Sequence, residues 1–278
     1  MSPTLARGEL YTETSGGGEG RAPLVLLHGW GMNLRVFDPL RAALGTTQRV
    51  IAIDLPGHGA SPWTADSSPQ QQLAAIAAML PRAATLVGWS LGGQLALQLA
   101  REPALEVRRL VLLTTSPRFV RAADWPHGMA AATLRQFAAQ LERDPDRTIA
   151  DFLELQVRGS VDAAAVMATL QSALRSHGAA QPAALRAGLE MLEHNDLREL
   201  ARQVQIPALV ITGQYDRVTP PQAGEALAQL LPHAQLLQLR RAGHAPLISH
   251  PGQVGAALLE FVREPARPWH SAEARQAP

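Results

Sequence analysis

The sequence predicts an α/β protein: a mostly parallel central sheet with helices on both faces and an inserted helical cap. Three observations point there. Short runs of continuous Leu, Val and Ile recur along the chain, as expected for strands buried on both faces of a sheet. Segments with helical spacing separate these runs, which is the rhythm of parallel β–α–β units. That rhythm then stops from about residue 119 to residue 195, where only helix-like patterning remains, before strands resume.

The first 22 residues are polar, and Gly16-Gly17-Gly18 predicts a hairpin turn between short strands. Leu24–Leu27 is an apolar run ending in His28-Gly29, a buried strand breaking into a loop. A second run, 50–54, ends at Pro56-Gly57-His58-Gly59, and a third, Thr85–Trp89, runs into Ser90 and Gly92-Gly93 before a helical stretch over 94–100. Residues 110–114, 208–212 and 235–239 supply further strands. In the intervening block Leu134, Phe137 and Leu141, then Ile149, Phe152 and Leu153, recur at helical spacing. Pro126, Pro145 and Pro182 divide the block into about four short helices. The expected organisation is therefore a core over 1–118, a helical cap over 119–195, the rest of the core over 196–263, and a flexible tail over 264–278 carrying Pro265 and Pro268.

Composition excludes several functions. The chain has 278 residues, with 25 Lys+Arg against 24 Asp+Glu, and every cation is arginine. A net charge of +1 gives no electrostatic case for nucleic-acid binding, which needs a dense basic face. Hydrophobic residues make up 46%, too many for wholesale disorder. The absence of cysteine excludes disulfides, thiolate–metal sites and cysteine nucleophiles. Residues 1–10 lack a charged-then-apolar leader, and no apolar run is long enough to span a bilayer, so a cytoplasmic protein with no membrane partner is expected. A monomer is the separate expectation for its assembly.

Gly88-Trp89-Ser90-Leu91-Gly92 is a G-x-S-x-G set between a strand and a helix. There the serine sits on a sharp turn, and glycines two residues to either side let the backbones approach. Without that context the same letters would be only a glycine-rich turn. A serine hydroxyl is a weak nucleophile until a base takes its proton, so a histidine is required. Of nine, His28 and His58 precede Ser90, against the Ser…Asp…His order of this motif. His127, His177 and His194 fall in the helical block, His233 and His270 in polar segments read as exposed, and His250 near the start of the last helix. His244, in Ala242-Gly243-His244-Ala245-Pro246, follows the last strand and is the choice. The acid that fixes its tautomer is Asp216, which follows the strand over 208–212. Asp196, at the end of the helical block, is the competitor. Backbone N–H groups of Trp30, in His28-Gly29-Trp30-Gly31, and of Leu91 are expected to form the oxyanion hole, with His28 anchoring the loop.

Together these residues resemble the α/β-hydrolase superfamily over nearly the whole chain. Further motifs resemble, more narrowly, the pimeloyl-[acyl-carrier protein] methyl ester esterase family of biotin biosynthesis. They are His28-Gly29-Trp30-Gly31-Met32-Asn33, Asp54-Leu55-Pro56-Gly57-His58-Gly59, Ser116-Pro117 leading to Trp125-Pro126, Arg147-Thr148, Phe152-Leu153-Glu154-Leu155-Gln156 and the stretch from His244 to Pro251. The resemblance implies hydrolysis of the methyl ester of a pimeloyl chain on acyl carrier protein, with Ser90, Asp216 and His244 as triad and no metal or organic cofactor. It also implies substrate contacts from Trp30, Ser90, Leu91, His244 and the stretch Phe152, Leu153, Glu154, Leu155 and Gln156. Phe152 and Leu155 are three apart, a helical spacing that suits either an acyl tunnel or cap-to-core packing. Family members meet the acidic carrier through cap arginines, of which Arg147 matches and Arg158 or Arg175 could substitute. From 121 to 194, however, seven arginines face nine acids, so the cap is net acidic. The alternatives are a broad carboxylesterase or lactonase of the same fold, and a non-catalytic ligand-binding relative.

Overall fold

In the computed structural model, which describes residues 9–17, 22–64, 67–102 and 104–263, seven strands form one sheet in the order β1-β3-β2-β4-β5-β6-β7. Six are mutually parallel: β2 (Leu24–Leu27), β3 (Val50–Ile53), β4 (Thr85–Trp89), β5 (Arg109–Leu113), β6 (Ala208–Gly213) and β7 (Ala234–Leu239). The central strands are buried at nearly every residue because helices cover both faces. Alternate residues feed two separate cores: Val25, Leu27, Leu86 and Leu110 on one side, Leu24, Leu26, Val87 and Val111 on the other. β7, at the edge, is only partly covered.

The expected hairpin does not form. β1 (Thr12–Ser15) lies antiparallel on β3, with Thr12 opposite Ile53, and does not touch β2. Both edges of β2 are taken by β3 and β4, so the first strand can add only outside β3. Gly16 turns the chain at φ +70°, and Gly17 N–H donates to Thr46 O instead of closing a two-strand turn. Gly18 and the proposed tail over 264–278 lie outside the described residues.

On one face run α2 (Pro69–Ala78), α3 (Leu91–Leu99), α8 (Arg198–Arg202) and α9 (Pro221–Leu230); on the other, α1 (Asp38–Leu44), α10 (Pro246–Ser249) and α11 (Pro251–Arg263). Between β5 and β6 stand four helices, α4 (Ala131–Leu141), α5 (Pro145–Val157), α6 (Ala163–His177) and α7 (Pro182–His194). Proline starts two of them where its missing N–H costs nothing, and Asp144 caps α5 by accepting from the Arg147 N–H. Helices α5 and α7 lie over the loop after β2: Ile149 reaches Gly31 and Gly188 backs onto Trp30. The C-terminal end of α6 is pinned to the core, since Asn33 donates to Ala173 O and Gly178 O, and Gln181 N–H to Gly57 O. β2 lies between β3 and β4, so the chain reverses its winding direction there and leaves a crevice at the carboxyl ends of the strands.

Candidate active site

Ser90 follows β4 directly and caps α3 with φ 55° and ψ −118°, a left-handed conformation unusual for serine. The flanking glycines make it possible. A Cβ on Gly88 would run into the carbonyl of Gly92, and one on Gly92 into the carbonyl of Leu27. Only residues without side chains let strand, turn and helix close so tightly.

At the ends of β6 and β7, Asp216 and His244 complete a continuous chain of hydrogen bonds. His244 Nδ1 is 2.8 Å from Asp216 Oδ2, and His244 Nε2 is 2.9 Å from Ser90 Oγ. The carboxylate can only accept, so it fixes the proton on Nδ1 and leaves the Nε2 lone pair for the serine hydroxyl. All three residues are buried, His244 completely and Ser90 with 5% of its surface exposed. The backbone around His244 is held equally firmly. Its carbonyl accepts from Trp89 Nε1 at 2.7 Å and Thr114 Oγ1 at 2.8 Å, and its N–H donates to Gln156 O. Asp216 Oδ1 accepts the N–H groups of Val218 and Thr219, and Oδ2 also accepts the Thr219 hydroxyl at 2.7 Å. Chemically, such an arrangement can pass a proton from serine to imidazole while a buried carboxylate stabilises the cation.

Asp196 is elsewhere. It accepts from both Arg198 and Arg118, and the Arg198 hydrogen bond holds its carboxyl down to about 2. Arg198 also pairs with Asp124 and lies over the Trp125 ring, so this network fastens the 118–125 segment to the start of α8. Leu91 opens α3, where its N–H has no intrahelical acceptor, and the 29–31 loop lies against the serine turn at Gly29. Trp30 is buried, donates through Nε1 to Leu185 O, and meets the Phe152 ring edge-on at 4.9 Å. Phe152 and Leu155 share one face of α5, while Leu153 packs in the opposite core with Trp89. Glu154 is exposed; Gln156 is buried with no hydrogen-bond partner for either atom of its side-chain amide. Arg147 and Arg158 are exposed on α5 and at its end, Arg147 paired with Asp151 at 2.8 Å.

The remaining histidines divide. His28 donates from Nδ1 to Gly29 O and accepts the Leu55 N–H at Nε2, which anchors the loop. His58, 5.2 Å away ring to ring, is also buried, and burial pushes its imidazole down to about 4. His233, read as exposed, is half-buried because Ala208 draws its backbone against β6; His270 lies outside the described residues. His177, set aside as a cap residue, is 2.7 Å from the buried carboxylate of Asp54. Sequence patterning gives no signal for that pair, nor for the hydrogen bonds of Trp89 and Thr114 to His244. The Asp-x-x-Thr spacing at 216–219 is the one legible clue to Thr219.

A family model described as the alpha/beta hydrolase fold matches residues 22–251. A pimeloyl-[acyl-carrier protein] methyl ester esterase of Nitrosomonas europaea is 43% identical over 244 residues, covering 88% of this chain and 96% of that one. Its counterpart in Xanthomonas axonopodis pv. citri is 42% identical over 242 residues, 86% of this chain and 94% of that one. Among solved structures, an esterase from Exiguobacterium antarcticum superposes with a TM-score of 0.80 at 20% identity, covering 92% of this chain and 96% of that one, a likeness of fold. This chain therefore belongs to the alpha/beta hydrolase fold family and, within it, to the family of the pimeloyl-[acyl-carrier protein] methyl ester esterases.

Proposed function

We propose that this protein is a serine carboxylesterase that hydrolyses the methyl ester of pimeloyl-[acyl-carrier protein] in biotin synthesis. The observation that carries the chemistry is the unbroken chain Ser90 Oγ, His244 Nε2, His244 Nδ1, Asp216 Oδ2, with links of 2.9 and 2.8 Å. Its substrate rests on relatives matched along nearly their full length. Ser90 Oγ attacks the ester carbonyl as Nε2 takes its proton, and the N–H groups of Trp30 and Leu91 receive the developing oxyanion. Collapse of the tetrahedral intermediate breaks the bond to the methoxy oxygen, to which Nε2 returns the proton, and methanol leaves. Water, deprotonated by the same nitrogen, then splits the acyl-enzyme and restores Ser90.

Residues 119–195 act as the cap in this reading, and Phe152 and Leu155, on the α5 face toward Trp30, line the acyl chain. Glu154, Leu153 and Gln156 belong to the same contact stretch by resemblance. Arg147 and Arg158 are the proposed contacts to the acidic carrier protein, with the enzyme a cytoplasmic monomer. No helix of the described residues is long and apolar enough to cross a membrane. The decisive experiment is complementation of a biotin-requiring strain that lacks its own esterase. Growth without biotin is expected from the wild-type chain and not from Ser90→Ala. Failure of the expressed wild-type chain to support growth, or growth with Ser90→Ala, would reject the assignment.

A further inference from the structure

Asp216 accepts four hydrogen bonds, and they are not equivalent. Oδ1 is satisfied by two backbone N–H groups, those of Val218 and Thr219, which survive any change of side chain. Oδ2, the oxygen facing His244, receives the Nδ1–H and the Thr219 hydroxyl, at 2.8 and 2.7 Å. Thr219 Oγ1 is itself 3.4 Å from His244 Nδ1. Having given its single proton to Oδ2, that oxygen can only turn a lone pair toward the imidazole N–H. The hydroxyl therefore touches both the acid and the base, and it is buried at 5% exposure.

We propose that Thr219 is a positioning residue of the ester-cleaving site, setting how strongly Asp216 holds the protonated form of His244. This rests on the triad reading above. A donor on Oδ2 draws negative charge from the oxygen that stabilises the imidazolium, and it fixes the carboxylate lone pair that Nδ1–H meets. Without it, Oδ2 keeps more charge, the imidazolium is favoured, and the inactive protonated base persists to higher pH. Among the described residues, the other groups hydrogen-bonded to His244 or with a ring against it are neutral: Trp89 at the end of β4, Thr114 after β5, the Gln156 backbone on α5, Thr219 and Ser90. Among the described residues, the charged side chain hydrogen-bonded to His244 is Asp216, so the hydroxyl is well placed to modulate it.

The test compares wild type, Thr219→Val, Thr219→Ser and Ser90→Ala in hydrolysis of 4-nitrophenyl acetate from pH 5 to 9. Valine should move the acidic limb of kcat/KM up by about half to one pH unit. On the plateau above that limb kcat should fall by about three- to tenfold with KM little changed, because the lost alignment of Oδ2 on Nδ1–H outweighs its greater charge. Serine should restore both. The low-field proton resonance of His244 Nδ1–H should shift in the valine variant and return in the serine variant. If valine does not fold, Thr219→Ala removes the same hydroxyl without adding bulk and should give the same displacement. A merely structural role would lower the unfolding temperature and leave the acidic limb and the resonance in place; that result overturns the proposal. Superimposed profiles, in an enzyme that Ser90→Ala silences, would do the same for Thr219 alone. Ser90→Ala as active as wild type would instead remove the triad reading on which it stands.

Discussion

Ser90 occupies a backbone conformation that serine ordinarily avoids, and it is held there by contacts it does not itself choose. Its N–H donates to Leu113 O, its carbonyl accepts from Thr115 Oγ1, and the Gly88–Gly92 approach leaves no other path for the chain. Strain of this kind is of order 1–3 kcal/mol and persists where surrounding structure over-determines it. Ser90→Ala should keep the fold, because those contacts are all to the backbone, and should lower kcat by about 10⁶. Asp216→Asn should cost about 10⁴, since the amide can offer a donor to Nδ1 and so favour the wrong tautomer. Asp196→Asn should leave kcat within twofold of wild type, because its carboxylate serves Arg118 and Arg198. Steady-state rates on one small ester test all three. A loss with Asp196→Asn and none with Asp216→Asn would exchange their roles. The meeting of Ser90, Asp216 and His244 was legible because each follows a recognisable strand, and parallel strands bring their carboxyl ends to one edge. The Asp54–His177 pair was not. It joins residues 123 positions apart and depends on where the end of α6 docks, which no local pattern encodes.

At the scale of elements, the parallel strands and the four-helix block could be read from apolar runs and proline spacing. The partner of β1 could not, since pairing outside β3 is decided by which sheet edges remain open. Helix α7 illustrates how closely the block sits on the core. Gly188 is buried in its middle, and a Cβ there would come within 2.6 Å of Trp30 Cδ1 and 3.3 Å of Leu91 Cδ2. Two effects oppose one another in Gly188→Ala. The change favours helix by about 1 kcal/mol. Overpacking against a ring fixed by its bond to Leu185 O costs about 1–3 kcal/mol. Overpacking should win, because both contacts belong to buried residues of the proposed oxyanion hole, Trp30 on its loop and Leu91 at the start of α3. The variant should therefore lose about 1 kcal/mol of stability in urea unfolding and lose ester hydrolysis as Trp30 is displaced. A variant more stable than wild type and fully active would mean that α7 can lift away at no cost.

The whole molecule carries a buried histidine pair that bears on stability more than on chemistry. His28 and His58 are buried side by side beneath the proposed cap, and burial holds both below the ordinary imidazole value, His58 at about 4. For His28 the neighbouring His58 adds to the effect. In the unfolded chain both would take a proton near pH 6.5. Between about 4 and 6.5 the unfolded state therefore binds more protons than the folded one, so stability is complete above 6.5 and drains away on acidification. For His58 the displacement corresponds to roughly 3 kcal/mol by the time pH reaches 4. Asp54 works the other way. Burial pushes its carboxyl up in spite of the N–H groups of Leu34 and Ala60 and the contact with His177, so its ionisation costs stability as pH rises. His58, displaced to about 4, and His28, displaced in the same direction, both lose stability on acidification, and the net expectation is loss towards acid. Urea unfolding at pH 4.5, 5.5 and 6.5 should show stability rising with pH, at up to about 1.4 kcal/mol per pH unit for each histidine. His58→Gln removes one titrating group while keeping an amide that can donate to Pro56 O, the present partner of His58 Nδ1. That variant should be less stable than wild type at pH 7 yet show a shallower slope, so that the two curves converge near pH 4.5. Parallel curves would mean that His58 gains no proton on unfolding, and the acid sensitivity of the fold would have to arise elsewhere.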